Sequence, residues 1–213
     1  QSFRMGFPMP GMWQLSLLNG DSVGQLPEYS DTTEYQGPSY PPHEASTGLT
    51  ATLWNRLTLD AFAFAQWGHV LYDDLAQEVQ GSYGGFWAPC KEIDEQVEAY
   101  FAGEGSLDGL KTKDIAQCSQ SYANNRDWRS PGDFIRLGSA SLSYRLPEEW
   151  LAGIPGGFDQ ATVQLQGQNL LMWTRFEGLH PDALLNTAAT IDRSAGYLLP
   201  PPRRFTLNLR LNF

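Results

Sequence analysis

An all-β fold of the membrane-barrel kind, about five antiparallel strands of a large transmembrane β-barrel with long extracellular loops, is what three features of this sequence predict. The first is Arg204 to Phe213, where Phe205, Leu207, Leu209, Leu211 and Phe213 alternate without error with Arg204, Thr206, Asn208, Arg210 and Asn212. Successive strand side chains point to opposite faces, so this stretch has one apolar and one polar face. Its length is that of a tilted membrane strand, roughly 9 to 11 residues. The second is the absence of any run of roughly 18 apolar residues, which excludes a helical span. Alternating strands never look hydrophobic to a sliding window, so the mean hydropathy of −0.37 is neutral. The third is that long and short connections take turns along the chain. Taken alone, the final stretch would equally suit a soluble β-sandwich.

From the start, residues 1 to 44 are dense in turn formers, among them Gly6, Pro8, Pro10, Gly11, Gly20, Gly24, Pro27, Gly37, Pro38, Pro41 and Pro42. Proline at this density keeps out of central strands, leaving Met12 to Leu18 as a candidate irregular strand. From Thr47 the pattern alternates: Leu49, Ala51 and Leu53 against Gly48, Thr50 and Thr52. Then comes a tight turn at Trp54-Asn55-Arg56, followed by Leu57, Leu59, Ala61, Ala63, Ala65 and Trp67 against Thr58, Asp60, Phe62, Phe64 and Gln66. This reads as a hairpin. With Asp60 facing inward, the other face is an apolar stripe ending at Trp67, where a membrane girdle places its aromatics.

Residues 68 to 132 do not alternate, apart from a helical patch over Glu92 to Phe101 with Ile93, Val97 and Phe101 at four-residue spacing. Connections in compact domains run about 4 to 6 residues, so this length favours a barrel with outside loops. Asp133 to Arg145 reads as the next strand. Its apolar parity switches between Leu137 and Ala140, which predicts a β-bulge near Gly138. A turn with one helical turn after Pro147 leads to a strand over Ala161 to Trp173, whose Gln166-Gly167-Gln168-Asn169 centre predicts a second bulge or a polar interior patch. Residues 174 to 203 close on Pro200-Pro201-Pro202 ahead of the final strand. Counted back from a periplasmic terminus, the segments 1 to 44, 68 to 132 and 174 to 203 all fall outside and the short turns inside.

At 41% hydrophobic and 13% aromatic the chain can form a core, which excludes disorder. Residues 1 to 44 hold five acids against Arg4, and residues 68 to 132 hold eleven against five bases, so the net charge of −10 sits in the loops. Without a basic groove or stripe, nucleic acid is not an expected partner. Gln1 to Gly20 has no signal-peptide pattern, and the expectation is that the chain is part of a longer protein. Cys90 and Cys118 admit two readings, a disulfide in an oxidising compartment or two buried thiols.

Four pieces, in order, carry a resemblance. They are Gly37-Pro38-Ser39-Tyr40-Pro41-Pro42-His43 before a strand, and Asp133-Phe134-Ile135-Arg136-Leu137 with Leu142-Ser143-Tyr144-Arg145-Leu146-Pro147. Gly167-Gln168-Asn169-Leu170 with Trp173-Thr174-Arg175-Phe176-Glu177-Gly178-Leu179-His180-Pro181-Asp182 follows, and last the Pro202-Arg203-Arg204-Phe205-Thr206 run ending on Phe213. Together they resemble the C-terminal part of TonB-dependent outer-membrane receptors of the SusC/RagA type. That resemblance implies a bacterial outer-membrane barrel of about 22 strands filled by an N-terminal plug, and import of glycans, peptides or similar nutrients. It also implies TonB as the energy source, acting through the plug, and a SusD-like surface lipoprotein as partner. The plug and the earlier strands are then expected elsewhere in a longer polypeptide, with residues 1–213 as one C-terminal barrel portion. Phe213 would close the strand recognised for barrel insertion, and Phe205, Leu207, Leu209, Leu211 and Phe213 would face outer-membrane lipid.

No catalytic, cofactor or metal site is expected, and the chain is not expected to be an enzyme. Gly81-Ser82-Tyr83-Gly84-Gly85 lacks the lysine and the strand-to-helix setting of a phosphate loop. Asp73-Asp74 could hold calcium among loop oxygens but reads more simply as solvated loop acids, and His43, His69 and His180 are scattered. Among the tryptophans, Trp87 and Trp128 in the long loop are the candidates for stacking on a ligand, against the simpler role of loop-core packing. Two other functions stay open: a soluble secreted carbohydrate-binding β module, and a surface adhesin.

Overall fold

Among the described residues, strand pairing gives one long-stranded sheet and two small ones. The computed structural model describes residues 4–7, 11–78, 88–152, 158–182, 184–185, 194–196 and 198–212. In order, the elements are β1 (Gly11–Gln14), β2 (Glu34–Pro38), β3 (His43–Leu53), β4 (Leu57–Trp67), β5 (Val70–Asp73), α1 (Asp74–Gln77), α2 (Ala88–Phe101) and α3 (Thr112–Cys118). A 3₁₀ turn at Gln120–Asn125 precedes β6 (Arg129–Pro131), β7 (Phe134–Arg145), α4 (Glu148–Leu151), β8 (Gln160–Thr174), β9 (Leu184–Leu185), β10 (Ser194–Ala195) and β11 (Arg204–Asn212). The fold is mostly β with few helices. Two units share these elements: a sheet unit of Pro42–Trp67, Asp133–Arg175 and Pro200–Phe213, and a loop unit of Gln1–Pro41, Gly68–Gly132 and Phe176–Leu199.

In the sheet unit the strand order is β11-β8-β7-β4-β3, every neighbour antiparallel. The hairpin starts at His43, four residues before the expected Thr47, because the polar run His43-Glu44-Ala45-Ser46 pairs with Trp67 to Phe64. Backbone pairing needs no apolar side chain, so alternation alone could not locate that start. Its turn has Trp54 and Asn55 at φ 50° and 58°, with the Arg56 N–H donating to the Leu53 carbonyl at 3.1 Å. Positive φ at both central positions matches the right-handed twist of the flanking strands.

The parity switch in β7 has the expected cause. Pairing with β4 passes directly from Phe62↔Ser139 to Ala63↔Leu137, leaving Gly138 as the extra residue. Opposite it, β8 skips Asn169 and Leu170, and Asn169 takes φ 53°, a left-handed conformation that asparagine tolerates. The Asn169 side chain donates to the Pro202 carbonyl at 3.1 Å, tying this bulge to the approach of β11. Ile135 and Leu137 below residue 138 and Ala140, Leu142 and Tyr144 above it therefore share one face. The helical turn after Pro147 is α4.

The loop unit has its own core. Val97 of α2 and Ile115 of α3 are fully buried with Leu107, and Leu26, Ile93, Leu110 and Tyr122 pack around them. The helix over residues 92 to 101 forms, but its buried stripe runs Cys90, Ile93, Val97. Phe101, expected on that stripe, is 52% exposed because the helix ends there and the chain reverses at Gly103 with φ 79°. The Cys90 and Cys118 thiols are joined as a disulfide, linking the first turn of α2 to the end of α3. The N-terminal segment is stitched to the same core: Gly24 N–H donates to Leu110 O, Thr112 N–H to Ser22 O, and the Thr112 hydroxyl to Gln25 O at 3.0 Å. Of the expected Met12 to Leu18 strand, only Gly11–Gln14 forms, paired with β2. A four-stranded sheet, β6-β5-β10-β9, completes the unit, with Leu71 packed on Phe176.

Two measurements test this core. Closing the 28-residue separation between the cysteines stabilises the loop unit by about 3–4 kcal/mol on the chain-entropy account, so reduction should lower its thermal midpoint by several degrees while β11–β8 amide protection stays unchanged. A Cβ at Gly132 would lie 2.4 Å from His69 Nε2 and 2.8 Å from Leu71 Cγ, both side chains buried. Gly132→Ala should therefore destabilise by about 1–3 kcal/mol in chemical unfolding.

Candidate functional site

The register stacks side chains of one character in rows across all five strands. Ala51, Leu59, Leu142, Leu165 and Leu207 are successive cross-strand partners, and so are Leu53, Leu57, Tyr144, Val163 and Leu209. Between them, on the other face, run Thr52, Thr58, Ser143, Gln164 and Asn208, and then Thr50, Asp60, Ser141, Gln166 and Thr206. Asp60 stands on the polar face as anticipated, accepting from the Thr50 hydroxyl at 2.8 Å and the Ser141 hydroxyl at 3.3 Å. Gln164 accepts from Asn208 at 3.4 Å. One face is thus a ladder of hydrogen-bonding polar groups with the Asp60 carboxylate among them, the other a continuous aliphatic surface.

That aliphatic surface is open to the surroundings. Phe205, Leu207, Leu209 and Leu211 are 67, 71, 64 and 40% exposed, and Leu49, Leu59, Leu142, Leu165, Ile135 and Leu171 are exposed beside them. Phe213 lies outside the described residues. Contiguous apolar patches larger than a few hundred Å² are rare on soluble monomers and mark an interaction surface. Aromatic side chains bound it at both ends. At the loop-connected strand ends stand Trp67, with His43 stacked on it at 5.5 Å, and Trp173; at the turn end stand Tyr144 and the exposed Trp54 and Trp150. At about 3.4 Å per residue, β4 from Leu57 to Trp67 runs about 34 Å along its own axis.

The polar face takes two phenylalanines differently. Phe64 packs edge-on against buried Phe134 at 5.4 Å and lies under the Arg136 guanidinium at 4.3 Å, whereas Phe62 is 45% exposed.

In the loop unit, a cleft of about 740 Å³ is lined by Asp73, Lys113, Asp114, Gln117, Asp127, Trp128, Arg129 and Glu177 among others. Trp128 borders it, but its ring is 6% exposed with the Arg126 guanidinium 5.8 Å away, so packing holds most of its surface. Trp87 lies outside the described residues, as do Gly81 to Gly85. Asp73 is engaged as the N-cap of α1, accepting from Ala76 N–H at 3.0 Å, and Asp127 is ion-paired with Arg129. Among the described residues no three His, Cys, Asp or Glu side chains gather as metal ligands. His43 belongs to the sheet unit, and His69 and His180 to the loop unit. Rim residues such as Glu177 and Gly178 escape sequence reasoning because the cleft joins segments far apart in sequence, and only adjacency in the fold reveals it.

Burial shifts titration here. It lowers Arg126 below its ordinary value, opposed by Asp94 and Tyr29. It raises Tyr72 to about 12, with the Asp74 and Asp127 carboxylates adding to the effect.

No protein-family model matches the sequence, and no curated protein matches it. Solved structures do. The chain is similar to chains in the structure of the RagAB peptide importer in its "closed-closed" state, at TM-score 0.60 and 17% identity over 95% of this chain and 23% of that one. The "open-open" state of the same importer gives TM-score 0.61 and 19% identity over 95% and 22%. At such identity the likeness is one of fold. The chain spans less than a quarter of the length of the chains it matches.

The raised Tyr72 sets a pH window. The folded loop unit keeps the phenol proton to about pH 12, while an unfolded chain releases it near 10. Stability is therefore unaffected by this group below pH 10 and falls as pH rises from 10 toward 12. Tyr72→Phe should flatten that fall in unfolding curves recorded across the window, and should remove the highest-pH step of the tyrosinate absorbance titration.

Proposed function

We propose that this chain supplies part of the wall of a β-barrel in a bacterial outer membrane, within a larger receptor that imports nutrients such as peptides or glycans. The observation that carries the reading is the uninterrupted aliphatic face across five hydrogen-bonded strands, open and edged by aromatics at both ends. Hydrocarbon satisfies such a face, and it also demands that strand edges be paired. β11 and β3 are the edges of this sheet. In this reading both are paired by further strands of the same polypeptide.

The polar face then lines the lumen, where a plug domain from another part of the polypeptide covers Phe62. Energy comes from TonB acting through that plug, and a surface lipoprotein is the partner. Likeness in fold to chains of a peptide importer supports transport as the activity. No catalytic step belongs to the chain in this account. A soluble β-sandwich module would instead need a second sheet over the aliphatic face, and among the described residues the sheet unit holds a single sheet.

Insertion of the full-length polypeptide into lipid vesicles, with heat-modifiable migration as readout, tests the reading. Leu209→Arg, on the aliphatic face, should cost about 2–4 kcal/mol of folding free energy near mid-depth, and Asn208→Arg on the opposite face less than about 1 kcal/mol. Equal tolerance at the two positions, or a polypeptide that remains monomeric in water without detergent, would overturn it.

A further inference from the structure

The exposed aliphatic face is not uniform. At its loop-connected end, β4, β7 and β8 form a groove of about 410 Å³ whose lining is almost wholly apolar. Ile135 and Ala65 make its floor, being cross-strand partners, and Trp173 is the next partner of Ile135. Trp67 lies two residues beyond Ala65 on the same face, so the two indoles wall the groove from strands on either side of β7. Two residues past Trp173 on that face, Arg175 is 73% exposed and ion-paired to Asp133 across the strands.

Along this one strand the order is aliphatic side chains, then an indole, then a guanidinium. Hydrocarbon, interface and headgroup follow in the same order through one leaflet of a bilayer. The carboxylate occupies one side of the Arg175 guanidinium, and its five N–H donors leave others directed to the surroundings. An acyl chain suits a lining that is almost wholly apolar; a polar ligand does not.

We infer that the groove between Trp67 and Trp173 is a binding site for one acyl chain of a phosphate-headed membrane lipid, whose phosphate is held by Arg175. The inference rests on the barrel reading above and deepens it: the wall retains a particular lipid instead of being wetted uniformly. Asp133 serves as a positioning residue, fixing the guanidinium over the groove's mouth.

The test uses the full-length polypeptide reconstituted in vesicles of phosphatidylglycerol brominated on one acyl chain, then extracted in mild detergent and weighed by native mass spectrometry. One phosphatidylglycerol should survive extraction per polypeptide and should quench tryptophan fluorescence. Trp173→Ala should abolish its retention, Trp173→Phe should preserve it, and Arg175→Gln should weaken it about tenfold without altering insertion. Retention unchanged by both Trp173→Ala and Arg175→Gln, or no retained lipid in an inserted polypeptide, overturns the groove and leaves the barrel reading standing. A polypeptide that never enters the vesicles overturns both.

Discussion

Backbone pairing across the five-stranded sheet is the constraint on which this structure turns. An N–H or C=O left unpaired away from water costs free energy, so strands of this length demand a partner for nearly every residue. The sheet meets that demand with five long, antiparallel strands paired almost from end to end. Side-chain character follows from the same register. Because the pleat has period two, a slip of one residue would carry every leucine to the polar face, so the matched rows of leucines and of Thr, Ser, Gln and Asn disfavour every slip by an odd number of residues.

Where the period is broken, it is broken in a compensated way. Gly138 adds a residue to β7, and without it Ile135 and Leu137 would lie on the face opposite Leu142. Asn169 and Leu170 answer it on β8, so pairing resumes in phase at Leu137↔Leu171. A bulge bends its strand and increases local twist. Here it sits below the groove-bearing end of the sheet, where Ile135, Trp67 and Trp173 come together. The same irregularity that keeps the aliphatic face continuous thereby shapes the part of it that is not flat.

Much of the sheet was legible in the residues because its physics is local and repetitive. The alternation over Leu57 to Trp67 and over Arg204 to Asn212, the turn at Trp54-Asn55-Arg56 and the parity switch at Gly138 are each read from a few neighbours. The four residues from His43 were missed because a strand held by backbone pairing need not alternate. Phe101 was misplaced because periodicity says which side chains align and nothing about where the core beneath them ends. Least legible were the groove and the loop cleft. Trp67 and Trp173 are each visible as a strand-end aromatic, but nothing in a linear pattern makes them opposite walls of one slot. The cysteines bound the same limit from the other side, since the sequence alone left a disulfide and two buried thiols open, and the packing of α2 on α3 decides between them.

The hairpin of β3 and β4 also bears on how the chain assembles. The loop core needs residues 22–26 beside residues 107–115, and bringing them together through open chain carries the loop-closure cost of a long segment. Pairing of His43 with Trp67 short-circuits the stretch between them, because a tight two-strand ribbon is among the fastest elements to form. What remains to be closed is a shorter loop that contains α2 and ends where α3 begins. The strand pair thus shortens the loop whose ends meet in the core of residues outside the sheet, an effect of less than about 1 kcal/mol because closure cost grows only with the logarithm of loop length.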